Sequence, residues 1–490
     1  MTPGAPREPS IEAGAPRSSI VGSLPLALAV IALLGVIYAV LARYVFDRFP
    51  YSGDEYSLAL QGELFARGLL EAPAPAHLEW LRVDHVLIDA FIRSKYPPGA
   101  AFLLGLGERG GVAWLITPLE GVVGVTLVWH TVRRLLGPRE GLIALIAIGL
   151  APLHAVQAAT FYAHTATVMF LAIAFAGVAG WLRGARTGWL VIVGAALGCA
   201  FLTRPIDGLL FGLAMVSLRS WRAVIVPALA ALPFVAIHLW YQAQQFGSAL
   251  TDGYAAYEPT LFALYGRDIA PHPFSIVNLW DPVQLWNHLD ICRAFVVGWT
   301  VPGAVLVALF GALAMATPAA RTIRRFSLVL IAVYVAALLL TIADPDDGAR
   351  PRYLTPILIP VALLTAAGFA PASAALAARF GQRVRGVVVS LAIVFAVLQV
   401  VAIVYDRLPL RWERQGLYRA VEDAQLRAAV VIVRARYPSR FARNGPWFDR
   451  DVLYLSAPPD VRVETIGAAY PGRTIWEARE GTPWTLTRVP

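Results

Sequence analysis

Residues 24–46 read LPLALAVIALLGVIYAVLARYVF, and YSGDE follows at residues 51–55. The first stretch is long enough to cross a membrane as a helix, since a span needs about 20 apolar residues. The polar residues before it carry no small-residue cleavage site after a short apolar core. We therefore predict a retained first span, with residues 1–23 as a disordered cytoplasmic tail. Two adjacent carboxylates stand just beyond this crossing.

The composition indicates a polytopic membrane protein. Apolar residues make up 58% of the 490 residues and charged residues 15%, and the mean hydropathy is +0.62, far from the composition of soluble globular proteins. The net charge of +9 is spread as short arginine clusters between apolar runs, which indicates membrane topology and not nucleic-acid binding. Two cysteines, Cys199 and Cys292, give no disulfide framework.

Eleven apolar runs are predicted to be transmembrane helices. Every even-numbered junction between them is basic, and cationic loops stay on the cytoplasmic side. This places the amino terminus in the cytoplasm and puts the loops 47–110 and 241–294 and the tail 405–490 on the outer, periplasmic side of a bacterial inner membrane. The predicted spans are residues 24–46, 111–135, 141–158, 164–182, 188–202, 206–218, 223–240, 295–315, 326–342, 353–370 and 387–404.

Two outer segments are predicted to be helices in the membrane interface, because their apolar residues lie broadly on one side. They run from Asp54 to Leu70 and from Asp281 to Arg293.

The tail 405–490 differs in composition from the membrane region. It is predicted to be a small α/β domain, since polar helical sequence is followed by short β-type runs. These runs are residues 430–433, 452–455, 474–478 and 484–488. The fold class is thus an α-helical membrane domain, residues 24–404, with a C-terminal domain at 405–490.

The ionisable residues near the outer face are the candidate functional groups. Asp54 and Glu55 point in different directions on a helix, so one of them could act as a general base, although acidic residues also simply favour helix starts. Lys95, the only lysine in the chain, stands before Tyr96 and two prolines that stiffen its loop. Its ammonium could contact a phosphate as a point charge.

Further cationic side chains are predicted near the outer face of the membrane. Arg204, Arg350 and Arg352 could form a fork for phosphate oxygens, although arginines at span ends more often lie along the interface. His164, near an outer helix end, and Glu120, within the second span, are possible substrate-cavity residues. A carboxylate within a span marks either a functional site or helix pairing. No residue spacing predicts a metal site.

Four motifs together resemble the membrane glycosyltransferases of the GT-C fold, in the branch with the protein O-mannosyltransferases and the lipid A aminoarabinose transferases. Their order and shared outer side make the set fairly specific, and the resemblance covers nearly the whole membrane region. The motifs are GDE at residues 53–55, KYPPG at 95–99, LTRP at 202–205 and PRYLTP at 351–356.

The resemblance implies an inverting transfer of a sugar from a polyprenyl-phosphate donor at the outer face. It implies Asp54 as the base, with Lys95 and Arg352 near the donor phosphate and Tyr96 and Tyr353 beside them in the same motifs. The tail lacks the sugar-binding trefoil repeats of eukaryotic mannosyltransferases, so a glycan or lipid acceptor is favoured over a protein. The involvement of a divalent cation stays open.

Two other functions remain open on the sequence. A flippase or transporter of a lipid-linked sugar would also show many spans and basic groups, although no pair of broken helices occurs in matching halves, as transporters often have. A non-catalytic binder of polyprenyl phosphate would need Lys95 and Arg352 but not Asp54.

Overall fold

Long apolar helices make up most of the molecule. The computed structural model describes residues 24–184, 186–257, 259, 276–315, 318–341, 350–458 and 461–489. The predicted tail at residues 1–23 lies outside them. Within the described residues, seven helices are long and apolar enough to cross a membrane, and the number rises to eight if a bent pair is one span. The protein is therefore a multi-pass membrane protein, as predicted.

The membrane helices match the predicted runs in order. The first helix, α1, continues as a π-helical turn to Val45, and two predicted spans are short helices, α8 and α9. The helices are α1 Leu24–Val40, α2 Gly53–Ala66, α3 Pro98–Glu108, α4 Ala113–Leu136, α5 Pro138–Gly149, α6 Pro152–Gln157, α7 His164–Gly184, α8 Thr187–Thr203, α9 Pro205–Ala214, α10 Trp221–Phe246, α11 Pro282–Ala294, α12 Ala304–Ala314, α13 Pro318–Leu340, α14 Leu358–Phe380 and α15 Gln382–Asp423.

Two predicted spans are broken in the structure. The run 141–158 forms α5 and α6, and Pro152 begins the second of them because proline has no amide hydrogen to continue the first. The run 295–315 bends by 95° between Trp299 and Ala304. A count of apolar residues cannot distinguish a straight span from a broken one, which is why both were predicted as single helices.

Residues 47–110, which the sequence predicts to be the first outer loop, contain α2 and a three-stranded antiparallel sheet in the order β1-β3-β2. The sheet was not predicted because its strands are short. The predicted helix Asp54 to Leu70 ends four residues early, where Arg67 donates its amide to Leu64 and closes the last turn. The strands are β1 Ala72–Pro73, β2 Val86–Ile88 and β3 Phe91–Ser94.

The C-terminal part is α/β, as predicted. Its sheet has the order β5-β4-β6-β7, with three parallel strands and an antiparallel edge strand. Helix α15 runs without a break from the last span into this part. The elements are β4 Ala429–Arg434, β5 Val452–Leu455, α16 Val463–Ala469, β6 Thr474–Arg479 and β7 Thr485–Arg488.

The outer loop and the C-terminal sheet share their hydrophobic cores. Leu60 and Leu64 of α2 pack in one cluster with Val431 and Phe441. On the other face of the sheet, Trp80 of the loop packs in a cluster with strand residues such as Val430. Burial of these side chains from both segments stabilises their association. The apolar side of α2 is therefore covered by protein, and α2 does not lie free in the membrane interface.

Candidate active site

The amino end of α2 is fixed by a capping box. Ser52 accepts a hydrogen bond from the amide of Glu55, and the Glu55 carboxylate accepts one from the amide of Ser52. This reciprocal pair satisfies two amides that a helix start otherwise leaves unpaired. It holds Asp54, the second residue of the helix, in one orientation.

The carboxylate of Glu55 is fully occupied by this role. Its Oε2 accepts hydrogen bonds from the amides of Tyr51 at 3.1 Å and Ser52 at 2.9 Å, and its Oε1 accepts one from the amide of Phe161 at 3.0 Å. Burial raises the pKa of Glu55, and the hydrogen bonds from Ser52 and Phe161 oppose that rise. The side chain is 1% exposed, so we assign it to positioning and not to proton transfer.

The carboxylate of Asp54 points instead toward cationic and aromatic side chains. Tyr96 donates its hydroxyl hydrogen to Oδ1 of Asp54. The other oxygen, Oδ2, lies 3.9 Å from Nη1 of Arg352 and 3.9 Å from Nε2 of His85. The carboxylate thus has one fixed hydrogen bond and two more distant polar neighbours. Its side chain is 24% exposed, so a ligand can reach it.

These neighbours keep Asp54 ionised. Burial alone would raise the pKa of its carboxyl group, but the charges of Arg352 and Lys95, together with the Tyr96 hydrogen bond, hold that pKa below its usual range. Opposite charges and donated hydrogen bonds both favour the charged form of a carboxyl group. Asp54 is therefore available as a proton acceptor at neutral pH.

His85 is a site residue that sequence reasoning missed. Burial and the nearby Lys95 lower the pKa of its imidazole to about 4, so the ring is neutral at pH 7. Its loop reaches α2 because Gly53 has no side chain: a Cβ there would lie 2.6 Å from the His85 ring. No periodicity or spacing marks His85, and its place is fixed only by this tertiary contact.

Lys95 follows β3 directly and is enclosed by tyrosine rings. Its Nζ lies 4.6 Å from the ring centre of Tyr254, 4.9 Å from that of Tyr257 and 5.2 Å from that of Tyr96. Such contacts attract an ammonium to the ring face. Burial lowers the pKa of Lys95 to about 8, although Asp54 opposes that effect. Tyr254 and Tyr257 were not predicted, since they come from the distant outer loop.

The strand that carries Lys95 is joined to the helix that carries Asp54. Ser94 donates its amide to Oε1 of Gln61 at 2.9 Å, and its hydroxyl lies 2.7 Å from that of Ser57. Because Ser57 and Gln61 are on α2, these contacts fix the ammonium and the carboxylate relative to each other.

The KYPPG and LTRP motifs meet at Gly99. A Cβ at Gly99 would lie 2.7 Å from the backbone of Leu202, so only glycine allows this approach. Arg204 follows two residues later and forms an ion pair with Asp207, and its Nη1 lies 2.7 Å from Nε2 of His164. The two motifs therefore belong to one site.

Arg352 and Tyr353 complete the cationic side of the site. The guanidinium carbon of Arg352 lies 5.2 Å from the ring centre of Tyr353, and that of Arg204 lies 5.6 Å from the same ring. Arg352 also lies 5.2 Å from the ring centre of Tyr162. Tyr353 is 41% exposed, so both guanidinium groups lie beside an accessible surface.

One predicted site residue, Glu120, is not part of this cluster. Glu120 is buried in α4, and its Oε2 has no hydrogen-bond partner among the described residues. The side chain of Arg350 lies outside the described part of the chain. In the described ranges, no group of three or more His, Cys, Asp and Glu side chains is placed to hold a metal ion.

The C-terminal part forms hydrogen bonds with the loop both before and after Asp54 in the sequence. Ser439 donates its hydroxyl hydrogen to Asp84 at 2.7 Å, next to His85. Arg443 donates to the carbonyl oxygens of Pro50 and, at 3.0 Å, Tyr51, just before the helix start. The segment 439–443 thereby orients the two stretches that place Asp54 and His85. No sequence pattern links these positions.

Comparison with solved structures identifies the fold. ArnT from Cupriavidus metallidurans, in a crystal structure bound to undecaprenyl phosphate, matches with a TM-score of 0.57 and 15% identity over 94% of this chain and 93% of that one. The chain has a GT-C fold. The apo form of ArnT gives the same TM-score and identity over 93% of each chain. The fold predicted from the four motifs is confirmed.

The chain is also similar to the apo form of the Archaeoglobus fulgidus oligosaccharyltransferase, with a TM-score of 0.48 and 14% identity over 88% of this chain and 64% of that one. The family model of dolichyl-phosphate-mannose-protein mannosyltransferases matches residues 96–241, which include Tyr96, His164 and Arg204. No curated protein sequence matches the chain.

Proposed function

We propose that this protein is an inverting glycosyltransferase that moves a sugar from a polyprenyl-phosphate donor to a glycan or lipid acceptor at the outer face of the membrane. One observation carries the proposal: an ionised carboxylate, Asp54, lies among the cationic side chains of Lys95 and Arg352 at one end of the helical bundle. The family match and the GT-C fold support the same class of enzyme.

Asp54 acts as the general base in this mechanism. The acceptor hydroxyl gives its proton to the carboxylate while its oxygen attacks the anomeric carbon of the donor sugar. The bond from that carbon to the phosphate oxygen breaks, and its electron pair leaves with the lipid phosphate. Attack from the opposite side of the leaving group inverts the anomeric configuration. A base close to the attacking hydroxyl makes such an attack possible at neutral pH.

The cationic groups stabilise the leaving phosphate. Its negative charge grows as the bond breaks, and charges fixed in advance in a partly dry site stabilise the transition state without reorganisation. Arg352 and Arg204, which both contact Tyr353, provide guanidinium groups that suit phosphate oxygens. Lys95 adds a third charge. Glu55 holds the helix start, and Tyr96 orients Asp54.

The basic cytoplasmic loops support an orientation with this site on the outer, periplasmic side of a bacterial membrane. Helix α11 supports contact with lipid, because Trp286 and Leu289 on its surface are 70% and 54% exposed. An exposed apolar face with a tryptophan is typical of a helix in the membrane interface.

The test uses purified protein in lipid nanodiscs with a panel of radiolabelled polyprenyl-phosphate sugars and candidate acceptors. We expect loss of one donor, release of polyprenyl phosphate and a product of inverted anomeric configuration by NMR. A protein that binds the donors but never cleaves them in the presence of acceptors would contradict the proposal. The same preparation in sealed vesicles would then test movement of the uncleaved donor across the bilayer, as a transporter requires.

The pKa of Lys95 leads to a pH prediction for the same preparation. Its ammonium is charged below a pKa of about 8 and neutral above it. A lipid phosphate is already fully ionised above about pH 7, since its second pKa is near 6. We therefore expect the affinity for undecaprenyl phosphate to fall as the pH rises through about 8.

Binding measured by microscale thermophoresis between about pH 7 and about pH 9.5 checks this expectation. Lys95→Arg is the matched variant, because a guanidinium stays charged across this range, and its binding should not fall. An equal fall in both proteins would show that Lys95 does not contact the phosphate.

A further inference from the structure

A cavity lies on the other side of α2 from the Asp54 site. It has a volume of about 660 Å³ and is bounded by α2, by the junction of α3 and α4, and by the C-terminal part. Tyr56, Ala59 and Glu63 line it. Because successive helix residues are separated by about 100°, this face is opposite to that of Asp54 and Gln61. The cavity is thus distinct from the cationic cluster.

The charges around the cavity are balanced. Its lining has as many arginines as carboxylates, and Arg450 forms an ion pair with Glu63 at 3.3 Å. A ligand with several phosphates would need an excess of cations, as found around Asp54, and this lining has none. Paired ionic groups offer donors and acceptors to an uncharged polar ligand. The charged lining residues are Arg48, Arg443, Arg450, Glu63, Glu108 and Asp451.

Aromatic rings form much of the remaining wall, and several are held rigidly. The Tyr418 and Tyr454 ring centres are 5.0 Å apart. Tyr418 donates its hydroxyl to the carbonyl of Phe441 at 2.6 Å, and Tyr56 donates to that of Asn444. Ring faces whose orientation is fixed in advance bind a ligand at a low entropic cost. The aromatic lining residues are Phe49, Tyr56, Trp114, Phe161, Tyr418 and Tyr454.

We propose that this cavity binds the acceptor, and that the acceptor is a neutral glycan. The apolar faces of sugar rings stack on aromatic side chains, while their hydroxyls bond to carboxylates and guanidinium groups. The volume is in the usual range of small-molecule sites, about 300 to 1,000 Å³. This inference rests on the proposed glycosyltransferase activity and deepens it, since it names the acceptor class.

The cavity connects to the catalytic residues through Phe161. Phe161 lines the cavity, and its amide donates to Glu55, the neighbour of Asp54. The next residue, Tyr162, contacts Arg352. Phe49 and Pro50 also line the cavity, so a glycan held against Phe161 lies beside the segment that leads into the amino end of α2.

The experiment measures glycan binding without donor, so that it does not depend on transfer. Full-length protein in nanodiscs is titrated with fluorescently labelled neutral oligosaccharides of hexoses and N-acetylhexosamines, and with their phosphorylated counterparts. We expect a neutral oligosaccharide to bind, and Trp114→Leu to weaken it about tenfold, as for the loss of an aromatic anchor. Glu108→Gln, an exposed change that does not threaten folding, should weaken it several-fold.

The matched controls are Trp221→Leu and Glu79→Gln, an exposed tryptophan and an exposed glutamate that do not line the cavity, and both should bind as the wild type does. Equal binding by all variants, preference for the phosphorylated sugars, or no binding overturns the inference. Donor cleavage is measured separately. Cleavage with unaltered glycan binding in Trp114→Leu would reject the cavity alone, whereas glycan binding without any cleavage would reject the proposed activity.

Discussion

Replacement of Asp54 by asparagine should lower the rate of sugar transfer by between about a hundredfold and ten-thousandfold, the usual range for loss of a general base. The amide cannot take the acceptor proton, although its oxygen can still accept the hydrogen bond that Tyr96 donates to Asp54. Loss of the negative charge beside Arg352 also frees that cation for the donor phosphate. We therefore expect undecaprenyl phosphate to bind at least as tightly as to the wild type.

Two readouts are needed for this variant: donor consumption and binding of undecaprenyl phosphate. Glu79→Gln serves as the control, since Glu79 is an exposed carboxylate on the same outer loop, and it should keep full activity. A fully active Asp54→Asn protein would contradict the assignment of Asp54 as the general base. Loss of both activity and binding would point to a misfolded site instead.

Replacement of Glu55 by alanine should instead act on stability. Alanine leaves the amides of Tyr51, Ser52 and Phe161 without the carboxylate that accepts their hydrogen bonds. A buried donor left unpaired costs about 1–3 kcal/mol. We expect a clear drop in the apparent melting temperature of the purified protein in detergent, measured by intrinsic fluorescence.

Glu55→Gln separates this role from catalysis. It keeps one carbonyl oxygen as an acceptor, so its melting temperature should lie between those of the wild type and Glu55→Ala. The folded fraction of Glu55→Gln should still transfer sugar. If Glu55→Gln melts like the wild type but is inactive, then Glu55, and not the helix start that it holds, takes part in the chemistry.

The sequence was sufficient to predict the helical membrane fold and the C-terminal strands. Both the hydropathy of a span and the alternation of apolar and polar residues in a strand can be recognised within a short stretch of sequence. For example, the predicted run 452–455 is the observed strand Val452–Leu455. It was also sufficient to name Asp54, Lys95 and Arg352 as candidate site residues, because each stands in a recognisable motif. These features depend on local residue order alone.

The remainder of the site depends on contacts between distant segments. His85 reaches Asp54 only because Gly53 lets its loop approach, and Tyr254 reaches Lys95 from another outer loop. Helix α2 has the apolar pattern of an interface helix, yet it is covered by the C-terminal sheet. A pattern shows that a face is apolar, but not whether lipid or protein covers it.

The hydrogen bonds from Arg443 to the backbone just before Asp54 have a consequence for biosynthesis. The two partners are 393 residues apart in the chain, and Ser439 and its partner Asp84 are 355 residues apart. Synthesis proceeds from the amino terminus, so the first outer loop emerges long before the segment that fixes it. Every nascent chain that stops before residue 439 therefore lacks the contacts that orient Asp54. These contacts form only late in synthesis, once the segment 439–443 has emerged from the ribosome.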